Sequence, residues 1–302
     1  ILPLYFLTKN IFSSPELALI IFLILFGESH FASSFLFYLD KGNKKLIETN
    51  KLLLLYLPII IVFIYFLIGL KNFNLAVLIG AIASAIHVTR QSVGLTRLYD
   101  SSKNKFYETL IYFSSLLFLF LGFVKFFNVK YGLFENSFFN FIKDYILLID
   151  NNIIQNKIFL ILIVLTLSVI SLCEKTNYKK RFLNLTGVLI YSPYLFVNHM
   201  YDAMVIGVGA HWSQYLIINY KIYFHKEKLN FEKLTQIIFI ISYALIMSFI
   251  VYKFHMNKEF IKILVLIPLS LHMFHFFIDA FIWRFSVKEI RDTIGKKLFN
   301  PN

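Results

Sequence analysis

The chain has a single cysteine, Cys173, among its 302 residues. A lone cysteine excludes an internal disulfide, and it also excludes a zinc or iron–sulfur site built on several thiolates. Any metal site in this chain must therefore use other ligands. The sequence also lacks an internal repeat, a low-complexity linker and a segment of soluble composition. We therefore expect residues 1–302 to form one integral domain.

Charged residues are few, at 16%, whereas 58% of the residues are hydrophobic and the mean hydropathy is +0.70. Soluble domains are roughly 45–50% apolar, so the composition indicates a polytopic membrane protein whose first partner is the lipid bilayer. The formal net charge of +13 does not favour nucleic-acid binding. The basic residues lie in short segments between apolar runs, where they set topology and contact anionic headgroups.

Apolar runs of about 20 residues, the length that crosses ~30 Å of hydrocarbon, predict about nine membrane spans. These runs fall at roughly 17–39, 52–70, 73–93, 106–127, 153–173, 183–200, 203–223, 234–254 and 260–283. If the first span runs inward, 21 basic residues lie in inner segments and seven in outer ones. This asymmetry predicts a cytoplasmic C-terminus. We therefore expect an all-α, polytopic transmembrane helical bundle in the cell (inner) membrane.

The sixth and seventh spans form the least regular part of this pattern. Only Tyr201 and Asp202 separate them, and Gly207 and Gly209 follow soon after. These features are typical of a broken or re-entrant helix pair, which a bilayer tolerates where the freed backbone is buried in protein.

The last span carries ionisable side chains in an otherwise apolar segment. On a helix, His272, His275 and Asp279 lie at i, i+3 and i+7, on one face. In hydrocarbon such groups cost several kcal/mol unless they are paired, solvated or bound to a metal. The cluster is therefore a candidate functional site, in which Asp279 serves as a ligand or as the acceptor that fixes the His275 tautomer.

Other spans carry histidines at depths that could meet this cluster. His30 shares a face with Ser33 and Ser34 in the first span, whereas Glu28 points about 200° away from His30. The remaining candidate ligands are His87 in the third span, His199 at the end of the sixth, and His211 in the seventh. Several histidines, a carboxylate and no cysteine favour Fe(II), and less strongly zinc. Gln214 and Tyr215, on the side of His211, are candidate catalytic residues.

The order of these motifs resembles the Brp/Blh-type membrane β-carotene dioxygenases. The similar features are a histidine shortly after a glycine in the first span (Gly27 and His30), a histidine 57 residues later (His87), and a closing His272-Met273 followed by Asp279. The chain departs from the family at Ser29 and Phe31, where the family has proline and glycine beside the first histidine. It departs again after His211, where the family's paired histidine is missing.

The resemblance implies a polytopic protein whose iron is held by histidines from several helices and which cleaves β-carotene to retinal. His30, His87, His211 and His272 would be its ligands, with His275 or His199 taking the place of the missing one.

We therefore predict a membrane non-haem iron oxidoreductase, dioxygenase-like, that uses O₂ on a carotenoid, polyene or lipid chain. A two-metal hydroxylase or desaturase ranks lower because its clustered histidine motifs are absent. The alternative from another class is a proton- or ion-coupled transporter that uses intramembrane His, Asp and Arg residues. Such transporters usually contain two related halves, which this sequence does not show.

Overall fold

The computed structural model describes residues 20–99, 105–127, 153–154, 156–174, 178–198, 200–224, 230–256, 262–284 and 287–299. Over these ranges the chain is helical apart from short turns, and it contains no β-strand. The predicted all-α fold is thus confirmed.

The α-helices are numbered here in chain order. The first six are α1 (Ile20–Ser33), α2 (Leu36–Leu39), α3 (Lys44–Thr49), α4 (Leu52–Lys71), α5 (Phe73–Tyr99) and α6 (Lys105–Phe127). The next six are α7 (Lys157–Leu172), α8 (Tyr178–Leu189), α9 (Pro193–Phe196), α10 (Met200–Tyr223), α11 (Phe231–Met256) and α12 (Lys262–Ile282). The C-terminal segment contains α13 (Lys288–Ile290) and α14 (Lys296–Phe299), and the wider π turns are Leu23–Gly27, Leu52–Tyr56 and Arg291–Gly295.

Five helices of the described ranges are long and apolar enough to cross a membrane: α4, α5, α6, α11 and α12. Helices α1 and α7 are apolar but shorter. The chain is therefore a membrane-type helical protein. Its nine spans and its cytoplasmic C-terminus stay predictions.

The surface of α4 shows why these helices suit a bilayer. Ile59, Phe63, Leu67 and Leu70 lie along one face, and each is about half exposed. The opposite face buries Pro58, Tyr65 and Gly69. A helix with apolar side chains outside and its polar groups inside matches a lipid environment, where exposed apolar surface has no hydration cost.

The chain divides into two compact units, Ile1–His87 with Trp212–Asn302, and Val88–His211. In the first unit α12 packs along α4, and both α1 and α12 pack against α11. Gly69 of α4 permits a close approach, because a Cβ there would lie 2.3 Å from Cδ2 of Leu266. Contacts of this kind fix how far α12 is rotated about its own axis. That rotation decides which histidine of α12 faces the interior.

The second unit contains a break within the predicted sixth span. The sequence placed the irregularity between the sixth and seventh spans, at Tyr201 and Asp202, but both of these residues lie inside α10. Helix α8 ends at Leu189, a turn follows, and the short α9 ends at Phe196. The ammonium group of Lys125 on α6 donates to the carbonyl oxygens of Leu195 and Val197, at 2.9 and 2.7 Å. Backbone acceptors freed where α9 ends are therefore satisfied by protein, as a low-dielectric surrounding requires.

The same unit holds a buried ion pair where α7 leads into α8. Nζ of Lys180 lies 2.8 Å from Oε1 of Glu174, and both side chains are at most 5% exposed. Asn184 donates to the other oxygen of Glu174. A buried carboxylate needs such partners, so the pair ties the two helices together.

Candidate metal centre

Four buried histidines offer one ring nitrogen each to a common point. They are His30 of α1, His87 of α5, His211 of α10 and His275 of α12, and their candidate ligand atoms all lie within 4.8 Å of one another. His30, His87 and His275 belong to the first unit. His211 directly precedes Trp212 of that unit within the same helix. The arrangement could hold a metal ion.

The nitrogen–nitrogen distances allow a direct test of fit. Nε2 of His275 lies 2.9 Å from Nε2 of His30 and 3.2 Å from Nε2 of His87. Two imidazoles at ~2.1 Å from one ion are about 2.9 Å apart at a right angle and about 3.4 Å apart at the tetrahedral angle. Both observed distances fall in this interval or at its edge. Each of these two pairs therefore fits neighbouring ligand positions around a single ion.

Asp279 adds a carboxylate beside the same nitrogens. Its Oδ2 lies 3.7 Å from Nε2 of His275 and 3.8 Å from Nε2 of His87. This oxygen is buried beside the two ring nitrogens. A buried carboxylate is costly to leave without compensation, and a bound cation would compensate it. The carboxylate thus supports the same interpretation as the histidine nitrogens.

Hydroxyl groups connect Asp279 to the far side of the His275 ring. Tyr215 donates to Oδ1 of Asp279 at 2.6 Å. The hydroxyl oxygens of Tyr215 and Ser34 are 3.0 Å apart, and Oγ of Ser34 lies 2.5 Å from Nδ1 of His275. The chain His275, Ser34, Tyr215, Asp279 is buried along its whole length. We call these four residues the polar relay.

Aromatic rings surround the histidines on the apolar side. Phe31 meets the His275 ring edge-on at 5.0 Å between centroids, and Phe276 lies 4.9 Å from the His87 ring. All four histidines of the group are at most 8% exposed. Water is thus largely excluded, which strengthens electrostatic interactions inside the site.

His272 lies outside the group of four histidines. Its Nε2 is 3.3 Å from Oε2 of Glu28, and its ring stacks on Phe31 at 3.6 Å between centroids. Glu28 follows the π turn Leu23–Gly27 of α1. As the helical angle predicts, Glu28 and His30 point to different partners, Glu28 to His272 and His30 to His275.

Three further sequence candidates have different placements. Tyr215 is fully buried and belongs to the polar relay. Gln214 is half-buried on α10 and stands outside the relay. His199 lies outside the described residues.

Ser34 is the residue whose part in the site the sequence did not single out. It lies four positions after His30, in the turn that directly follows α1, so the helical period still places both on one face. Its contact with His275 depends on how α1 and α12 pack, which no local pattern reports.

Comparisons of the chain with protein-family models, with curated proteins and with solved structures find no match. Functional inference for this protein therefore depends on the geometry of its buried polar residues.

Proposed function

We propose that this protein is a membrane-embedded metalloenzyme with a histidine-ligated non-haem iron, which uses O₂ to oxidise a long apolar substrate. The observation that carries the proposal is the pair of Nε2 distances at His275, which suit ligands of one ion. A second support is the buried carboxylate oxygen of Asp279 beside those nitrogens.

The donor set favours iron or zinc over calcium and magnesium. Imidazole nitrogens with a nearby carboxylate suit Fe(II) and zinc, whereas calcium and magnesium prefer all-oxygen sites. When bound, iron would supply the binding and activation of O₂ next to a substrate double bond. We assign the ligand positions to His30, His87, His211 and His275.

The protein's own residues supply position and a dry environment. Imidazoles from four helices would hold the ion between elements distant in sequence, and Phe31 and Phe276 exclude water beside the rings. Tyr215 and Asp279 orient His275 through the polar relay. The lipid-facing helices suit a carotenoid, polyene or lipid chain that enters from the bilayer. By the resemblance of the sequence motifs, cleavage of β-carotene to retinal is the first reaction to assay.

Metal analysis of the wild type and three histidine variants tests the proposed metal centre. The protein is purified anaerobically in detergent, and iron and zinc per chain are measured by plasma mass spectrometry for the wild type, His275→Ala, His87→Ala and His272→Ala. The proposal expects about one iron per wild-type chain, a loss in the first two variants and full retention in His272→Ala. His272 is the matched control, since it lies one turn from His275 on the same helix but outside the group.

Oxygen uptake with β-carotene in detergent micelles, and detection of retinal, follow as the test of chemistry. A centre with zinc and no oxygen uptake would leave the metal site but remove the oxygenase function. A folded wild type without bound metal would remove both.

A second candidate function is proton- or ion-coupled transport. The interrupted helical segment favours it: α8 ends at Leu189, and Lys125 caps carbonyl oxygens where the short α9 ends. Discontinuous helices often line transport sites. Measurements of proton flux and oxygen uptake on the protein in proteoliposomes distinguish the transporter from the enzyme. A proton flux that persists in metal-free protein supports the transporter, whereas metal-dependent oxygen uptake without flux supports the enzyme.

A further inference from the structure

The direction of the hydrogen bonds in the polar relay can be worked out from donor counts. Tyr215 donates its single hydroxyl proton to Oδ1 of Asp279, at 2.6 Å. The oxygen of Tyr215 then has to accept at its contact with Ser34, since its proton is already used. The hydroxyl proton of Ser34 therefore points to Tyr215.

The same count of donors and acceptors applies to the contact between Ser34 and the His275 ring. Because the proton of Ser34 is committed to Tyr215, its Oγ can only accept at the contact with Nδ1 of His275. Nδ1 must then carry the ring proton. The opposite nitrogen, Nε2, is left with its lone pair, and this is the atom that lies 2.9 and 3.2 Å from the nitrogens of His30 and His87.

We infer that Ser34 and Tyr215 are positioning residues that, with Asp279, hold His275 as its Nδ1–H tautomer and so present the Nε2 lone pair to the ion. This inference deepens the proposed metal centre and depends on it for its functional meaning. Asp279 thereby acts on His275 through two hydroxyl groups rather than by direct contact with Nδ1. Groups that fix a ligand's tautomer typically change metal affinity by about 10- to 100-fold when they are removed.

The tautomer can be read without any metal, which separates this inference from the proposed function. Metal-free protein labelled with ¹⁵N-histidine is placed in lipid bilayers and examined by solid-state NMR. The His275 signals are assigned by their absence in His275→Ala. The expected result for the wild type is a protonated Nδ1 and an unprotonated Nε2.

Two variants remove one oxygen each from the relay. Tyr215→Phe frees the proton of Ser34 to turn to Nδ1, so the His275 tautomer is expected to change to Nε2–H. Ser34→Ala removes the partner of Nδ1, and a mixture of tautomers is expected. Ser248→Ala is the matched control, because Ser248 is equally buried in the first unit but lies on α11, outside the polar relay. It should leave the tautomer unchanged.

Affinity for Co²⁺, followed by its visible absorption in a titration, gives the second readout. Tyr215→Phe and Ser34→Ala are expected to weaken Co²⁺ binding about 10- to 100-fold, and Ser248→Ala to leave it unchanged. An Nε2–H tautomer in the wild type, or identical spectra for all three variants, would overturn the inference. Equal Co²⁺ affinity in all of them would remove the positioning role while leaving the metal centre intact. The expected tautomers in a protein that binds no metal would uphold the relay and reject the proposed function.

Discussion

Nε2 of His30 and Nε2 of His275 lie 2.9 Å apart, although 245 positions separate the two residues in the chain. One nitrogen is presented by α1 and the other by α12. Two neutral imidazoles can share a proton at this distance, but His87 stands 3.2 Å from the same nitrogen of His275. Three ring nitrogens that converge in this way are better satisfied by one cation than by each other.

A bound ion should stabilise the fold, because it ties α1, α5 and α12 together. A ligand present at 100 times its dissociation constant adds about 2.7 kcal/mol to the free energy of unfolding. We therefore expect Co²⁺ or Zn²⁺ to raise the thermal midpoint of the detergent-solubilised protein by several degrees. His272→Ala should keep this shift and His275→Ala should lose it. Equal shifts in both variants would show that the ion binds elsewhere.

The close approach of α4 and α12 at Gly69 should not tolerate a branched side chain. A Cβ at this position would lie 2.3 Å from Cδ2 of Leu266, so Gly69→Val forces that side chain away and costs about 1–3 kcal/mol. Thermal unfolding in detergent measures the loss. Gly69→Val combined with Leu266→Ala should recover part of it, if the clash is the cause.

Gly94→Ala is the control for that series, because a Cβ at Gly94 meets no atom within 4 Å. It should leave the midpoint unchanged or raise it slightly, since alanine favours the helix over glycine. A loss as large as that of Gly69→Val would indicate a general intolerance of substitution rather than a local clash.

Removal of Lys180 should leave the buried carboxylate of Glu174 without its cationic partner. The two side chains form a buried ion pair at 2.8 Å, so Lys180→Met leaves an uncompensated charge and should destabilise the protein by about 3–5 kcal/mol. Denaturation in mixed micelles measures this loss in the free energy of unfolding. The double variant Lys180→Met with Glu174→Gln removes both charges and should be clearly more stable than the single one. If the two variants are equally destabilised, the pair contributes packing and little electrostatic energy.

The predicted topology can be tested with thiol labelling, for which the chain offers a simple background. Cys173 is its one cysteine and is exposed, so Cys173→Ser gives a protein without thiols. Cysteines introduced at Lys44 and Lys288 should be blocked from an impermeant maleimide in intact cells, whereas one at Lys71 should react. Labelling at Lys288 from outside would contradict a cytoplasmic C-terminus.

Much of this architecture follows from local sequence. The apolar runs predict helices because each can satisfy its own backbone in a low-dielectric surrounding. The sequence predicted an irregularity between the sixth and seventh spans, near Tyr201 and Asp202. The structure places the break earlier in the chain, after Leu189. The helical period also groups Ser34 with His30, and Asp279 with His275.

The rotation of each helix about its own axis could not be predicted from local sequence. His272 and His275 are three positions apart, which separates them by only about 60° around α12. Either one could face the interior on the sequence alone. The packing of Leu266 on Gly69 sets the rotation, and the structure then brings His275 to His30 and His87 while His272 meets Glu28.

The sequence by itself determined that this protein is helical, membrane-type and rich in intramembrane histidines, because these properties depend on composition and local period. Tertiary structure decided which histidines converge and how hydroxyl groups join Asp279 to His275. Those contacts link residues from opposite parts of the chain, and their partners are chosen by the packing of whole helices rather than by any neighbouring residue.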